Sequence, residues 1–387
     1  MKRLCQAWFV LMAIVVGARL QAQTAEPLSF DPRTGFDTSP WVSARAAAMG
    51  EAIGPIANGP EAPYYNPAAI GGLHYKQARP ALNQLHFPYL GLAADGSSLS
   101  LNKKLREGQN LQDPAVAEEL LRAYDGDHPY ARMSLVPSIG FNRSVIALIY
   151  DVRATSTPHG AGSDAIDIAY RSQTGPLVGF SFASPKRDFY LGVSAAYLER
   201  METQGSFPLA SVNETKARKE AFRSLKRTYT GFPVHVGGIW SFAADWRPAI
   251  SLVSRNVTGT RFTPRNDTEA AYKDREDTTL GLSVSPNLAR WGMLNVVVEA
   301  TELGWSDKPW EDKLRLGSEL TIGNGFGSEA GLSFRLGYRM AGICYGLGVN
   351  VGLVSFQAAS YTEDIGLAGE RVVERRSVLN IAINLAE

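Results

Sequence analysis

The sequence predicts an all-β fold, an antiparallel transmembrane β-barrel of about fourteen strands. Three observations predict it. From near residue 129 the hydrophobic period is two, and glycine recurs on the polar face. The candidate strands run about 9–12 residues, the length of a tilted membrane-crossing strand, with long and short connections in alternation. The N-terminus reads as an export signal.

The elements follow in chain order. Lys2 and Arg3 form a basic start, Ala7 to Gly17 an apolar run without acid, and Ala22 a small residue suited to cleavage. Residues 1–22 are therefore expected to be a signal peptide, because the run is shorter than the ~20 apolar residues a helical span needs. Cleavage removes Cys5 and leaves Cys344 as a lone thiol, so no intramolecular disulfide framework is expected. Residues 81–93 could form a strand, interrupted by Pro88. Asp113-Pro114 opens an amphipathic helix that Asp125-Gly126 closes.

Strands are expected near 130–141, 143–152, 163–172, 176–184, 187–199, 227–241, 247–256, 277–285, 290–301, 312–322, 328–339, 341–351, 353–362 and 373–385. In one hairpin Leu332, Phe334, Leu336 and Tyr338 alternate with Arg335 and Arg339, and Ile343, Tyr345 and Leu347 alternate with Gly346 and Asn350. The apolar set is assigned to lipid and the other to the lumen. An even strand count returns both ends to the periplasm, which places the long connections 200–226, 257–276, 302–311 and 363–372 outside. The connection 153–162 is the exception, a long one on the periplasmic side.

A soluble sandwich also alternates. Its polar face would be solvated and rich in Lys, Glu and Thr, whereas glycine weakens a solvated strand. Charged residues are 20% of the chain, aromatics 10%, and there are 37 glycines. That balance suits a barrel with an apolar outside and a polar inside. The net charge of +1 gives no reason to expect a nucleic-acid partner. Trp240, Trp246, Trp291, Trp305 and Trp310 fall at or just beyond strand ends, where an interfacial girdle would sit.

Ahead of the strands lies a small-residue run, Ala44-Arg45-Ala46-Ala47-Ala48-Met49-Gly50, followed by Tyr64-Tyr65-Asn66-Pro67-Ala68-Ala69-Ile70. Asn66-Pro67-Ala68 is chemically a turn, since proline fixes φ and the asparagine side chain can bond nearby amides. This order resembles the N-terminal hatch of the FadL-type long-chain fatty-acid transporters and their PorV-type relatives. Ala69-Ile70 departs from the Gly-Leu that often follows, and the last strand does not end in the aromatic residue that many outer-membrane barrels carry. The resemblance implies a plug over residues 23–75, a barrel over 76–387, and a gate built on Tyr64, Tyr65, Asn66, Pro67 and Ala68. It implies an outer-membrane channel for passive uptake of small hydrophobic, fatty-acid-like molecules, with outer-membrane lipids and such a ligand as partners and no cofactor. The alternative is a non-transporting barrel that docks exported proteins for a secretion system, and a third reading is a periplasmic lipid-binding or enzymatic domain.

Catalytic signals are thin. His74, His86, His128, His159 and His235 show no metal-ligand spacing, and there is no Gly-x-Ser-x-Gly elbow or phosphate loop. Neither a catalytic residue nor a metal is expected. Arg315, Glu319, Arg335 and Arg339 fall on the polar strand face as lumenal candidates. They either greet an anionic head group or form a salt-bridged network that holds the plug, since buried lumenal charges need partners.

Overall fold

The computed structural model describes residues 39–74, 84–96, 98, 119, 122–123, 127–141, 143–159, 165–208, 225–265, 270–288, 292–323, 331–339, 342–366 and 371–386. The signal segment, the first part of the expected plug, Trp291 and most of the helix expected over 113–125 lie outside these residues.

Nineteen strand segments form one sheet in which first and last pair, so the sheet closes. Segments that run on through a break or bulge join into a closed antiparallel barrel of 14 strands. They are β1 (Gln84–Asp95), β2 (130–141), β3 (Ser144–His159), β4 (Ala165–Ala183), β5 (189–208), β6 (227–241) and β7 (249–264). The circuit continues with β8 (272–284), β9 (Met293–Ala300), β10 (Leu314–Gly323), β11 (Gly331–Arg339), β12 (Gly342–Val351), β13 (Val354–Asp364) and β14 (Val373–Ala386). Closure leaves no edge strand, which is what a chain must achieve where lipid offers backbone groups no hydrogen bonds.

The register confirms the facing expected from periodicity. Leu332, Phe334, Leu336 and Tyr338 are exposed on the outer surface, and Arg335 and Arg339 are buried within. Ile343, Tyr345 and Leu347 are likewise outside. Exposed Ile146, Phe180, Leu191, Leu252 and Leu282 extend this apolar belt around the barrel.

The strand bounds are corrected in several places, among them the expected connections 200–226 and 257–276, of which 200–208, 260–264 and 272–274 are strand. Residues 84–95, expected only as an interrupted segment, are the first barrel strand and pair with β14 and β2. Pro88 sits where the β1–β14 register shifts, between His86 and Tyr89, and a bulge is where an edgeless sheet can accept proline. The expected strands 163–172 and 176–184 are a single 19-residue strand, β4. Thr174 pairs with Glu199 and Leu177 with Ala196, so the β4–β5 register continues past Gly175-Pro176. The expected connection 153–162 is largely strand, because β3 continues to His159. With these changes the odd connection disappears, and the connections of 142–143, 184–188, 242–248, 285–292, 324–330 and 352–353 share the end that holds both barrel termini. The longest connections, 96–129, 209–226 and 301–313, lie at the other end.

Residues 39–74 lie inside. Helix α1 (Ala44–Ala48) packs on β11 to β14, and a 3-10 turn (Pro67–His74) on β4, β5 and β6. Between them run two 3-10 turns (Gly54–Ile56 and Gly59–Glu61) and α2 (Ala62–Tyr65). Helix α3 (Trp310–Lys313) leads into β10 from the end opposite the barrel termini.

Candidate functional site

The site is the seam between the N-terminal segment and the barrel wall. Ser43 caps α1 by accepting from Ala46 N at 3.1 Å, and its hydroxyl donates to Glu61. An alanine-rich turn has almost no side chain to hold it off its support, so backbone approaches backbone. A Cβ on Gly337 would lie 2.3 Å from Gly50 N, and one on Gly317 would lie 2.7 Å from Met49 O. Ala48 Cβ comes within 2.7 Å of the corresponding position on Gly346. Gly50 itself has φ 60°, with Tyr338 O 2.7 Å from its absent Cβ. The inward glycines that weaken these strands are thus the seat of the plug.

The Asn-Pro-Ala turn has its own seat on the opposite wall. Asn66 Nδ2 donates to Gly54 O at 3.1 Å, and Oδ1 accepts from Ala68 N at 3.0 Å. A Cβ on Gly192 would meet Pro67 C at 2.1 Å, and one on Gly237 would meet Asn66 Oδ1 at 2.1 Å. Ser194 Oγ donates to Pro63 O. Tyr65 stands edge-on to Tyr64 at 5.1 Å, and Tyr64 also meets Trp41, His235 and the Arg255 guanidinium. Tyr64, Tyr65, Asn66, Pro67 and Ala68 therefore occupy one buried patch.

The lumenal candidates all face inward and all bear on the plug. Glu319 accepts from Arg45 Nε at 2.8 Å and Nη2 at 3.0 Å, and from Arg335 Nε at 2.8 Å. Arg315 and Arg339 converge on Glu51, at 2.8 and 3.0 Å. Burial opposes the charge on Arg45, but Glu319 and then Glu61 more than offset it and hold the guanidinium pKa above its usual value. The four candidates thus form an ion-pair network with Arg45 and Glu51 of the N-terminal segment. Sequence reasoning missed its plug-side members, Arg45, Glu51 and Glu61. The available signal was charge inside a segment otherwise made of alanine and glycine, which burial obliges to find partners.

A further feature was not anticipated. On the loop side, register sets Arg132 opposite Arg153, Arg153 opposite Arg171, Arg171 opposite Glu202 and Glu202 opposite Arg227. Arg171 Nε bonds Glu202 at 2.7 Å, and Arg132 Nε bonds Asp151 at 2.7 Å. A small cavity lined by Arg153, Arg171, Glu202 and Gln204 opens here. The row is cation-rich, and it depended on strands extending past the ends that the sequence suggested. Among the described residues no group of His, Cys, Asp and Glu is placed to hold a metal.

No family model matches the chain, and no curated protein is similar to it in sequence. Solved structures similar to it include the toluene transporter TbuX of Ralstonia pickettii, at 11% identity and TM-score 0.48 over 89% of this chain and 98% of that one. The Pseudomonas putida toluene transporter TodX is 11% identical with TM-score 0.43, over 93% and 99% of the two chains. The translocator domain of the autotransporter NalP from Neisseria meningitidis is 8% identical with TM-score 0.39, over 82% and 93%.

Proposed function

We propose that this protein is a plugged outer-membrane channel for passive uptake of small hydrophobic molecules, fatty-acid-like in carrying an acidic group. The observation that supports the reading is the arginine row on the loop side of a lumen filled by residues 39–74. A cationic mouth attracts an anionic head, and an apolar tail follows it toward the plug seam, where Trp41, Tyr64 and Tyr190 supply apolar surface. Passage then requires the plug to yield, with Asn66-Pro67-Ala68 as the gate, because the turn rests on glycine seats rather than on interlocked side chains.

The test is uptake into proteoliposomes by wild type, Asn66→Ala, and the pair Arg153→Gln with Arg171→Gln, using a fluorescent fatty acid and its uncharged methyl ester. The reading expects faster entry through Asn66→Ala, and a selective loss of the acid over the ester in the arginine pair. Equal entry through all three would remove the channel reading. A protein partner recovered in equal amount with the purified barrel would then make docking for a secretion system the better account.

A further inference from the structure

The outer surface of β7 and β8 carries a charge arrangement that uptake through the lumen does not use. Phe262 and Tyr272 are directly opposite each other and stack at 5.3 Å, with Phe262 fully buried. One position away on each strand, Arg261 pairs in register with Lys273, and both side chains are exposed. Like charges directly opposite on antiparallel strands repel, so this pair destabilises the sheet unless something anionic lies between them. Neighbouring cations have protein partners: Arg275 bonds Asp307 at 2.6 and 3.0 Å, and Arg265 approaches Glu199 at 3.8 Å. Arg261 and Lys273 have no hydrogen bond or ion pair with any described residue.

The height of the pair on the barrel points to a source for such an anion. Gly231 pairs with Phe262, which sets Phe232 of β6 beside Arg261. Phe232 is 61% exposed and continues the outer belt of Leu252 on β7 and Leu280 on β8. The two cations therefore stand at the upper rim of the apolar belt, on the long-loop side, where lipid head groups meet the barrel. We propose that Arg261 and Lys273 together hold the phosphate of a phosphorylated lipid head group in the outer leaflet. Cross-strand side chains are about 5 Å apart at Cβ, which lets one phosphate accept charge-assisted hydrogen bonds from both. Phe232 beside the pair supports the start of the acyl chain.

The experiment uses the full-length barrel, purified in a phosphate-free maltoside detergent, with or without bisphosphorylated lipid A. Bound lipid is counted by native mass spectrometry, and thermal stability is measured alongside. Wild type is expected to retain lipid A, and Arg261→Gln with Lys273→Gln to retain about tenfold less, the loss of a charged hydrogen bond. Lys273→Glu supplies a folded control, because it turns a repulsive pair into an attractive one. It is expected to raise thermal stability without lipid and to abolish the further gain that lipid A gives wild type. Inorganic phosphate at millimolar concentration separates the sources: failure to displace lipid A supports the head group, and complete displacement overturns it. Equal retention by wild type and the double variant overturns the proposal. So does an equal loss in Lys186→Gln, a surface lysine of the turn 184–188 at the other end of the barrel.

Discussion

At the residue scale, two glycines decide how the Asn-Pro-Ala turn is held. Gly192 and Gly237 let Pro67 and Asn66 approach the wall more closely than any side chain allows. Gly192→Val puts methyl groups against Pro67 C and O, which are backbone and cannot swing aside. Overpacking of this kind costs about 1–3 kcal/mol. The expected result is an intact barrel whose N-terminal segment is cut faster by protease and whose liposomes admit a lipophilic dye. Unchanged protection would show that the turn has another resting place. Asn66→Ala acts on the same turn by chemistry rather than bulk, since it removes the donor to Gly54 O and the acceptor for Ala68 N. Each such bond is worth about 0.5–1.5 kcal/mol net. The Asn66 tripeptide was legible as a turn from its own chemistry. Its seats were not, because Gly192 and Gly237 are far away in sequence and local pattern shows only that the inner face is small.

At the element scale, facing was the most legible property, because a period of two leaves one free choice per strand. Phe334 lies outside and its neighbour Arg335 inside, bonded to Glu319. Phe334→Arg is expected to cost about 2–4 kcal/mol if it lies near the bilayer midplane, measured by folding into vesicles at increasing urea. Tolerance of Phe334→Arg at no measurable cost would reverse the assignment of faces. Strand ends were less legible. Pro88, Gly175 and Pro176 are breakers by local rules, yet the ladder passes each of them, since neighbouring strands fix the path. In the outer loop the Arg275 hydrogen bond holds the Asp307 carboxyl down at about 2, against an ordinary 3.8. A depressed carboxylate stabilises the loop fully above the ordinary value and loses that contribution as pH falls through the lower one. Trp305, which packs under Arg275 and donates to Glu276 O, reports it. Its indole N–H resonance should hold steady from pH 7 to 4 and move as pH approaches about 2, and Asp307→Asn should abolish the transition. A midpoint at the ordinary carboxylate value would mean that the pair does not form.

At the scale of the whole molecule, the barrel and its plug are stabilised by different physics. Ladder hydrogen bonds and the lipid-facing belt hold the wall, while the plug is held by close backbone contact and by carboxylates shared among arginines. This separation is what a gate requires. It also explains why the sequence revealed the barrel more fully than the site: strand pattern is local, whereas Arg45 and Glu319 are joined only by closure of the fold. Glu319→Gln tests it. The change leaves Arg45 and Arg335 without the anion they share, and removing one partner from a buried ion pair costs about 3–5 kcal/mol. Arg45 keeps Glu61 at 3.3 Å, so the plug loses its tie to β10 without losing its internal one. The cost should therefore fall on docking and not on the wall. Heat-modifiable gel mobility should match wild type, while the plug becomes sensitive to protease and dye entry rises. Glu51→Gln, which removes the carboxylate that Arg315 and Arg339 share, should act in the same direction from another side of the seam. If both variants instead lose the heat-resistant barrel form, plug and wall fold as one unit, and movement of residues 39–74 is not the route through this molecule.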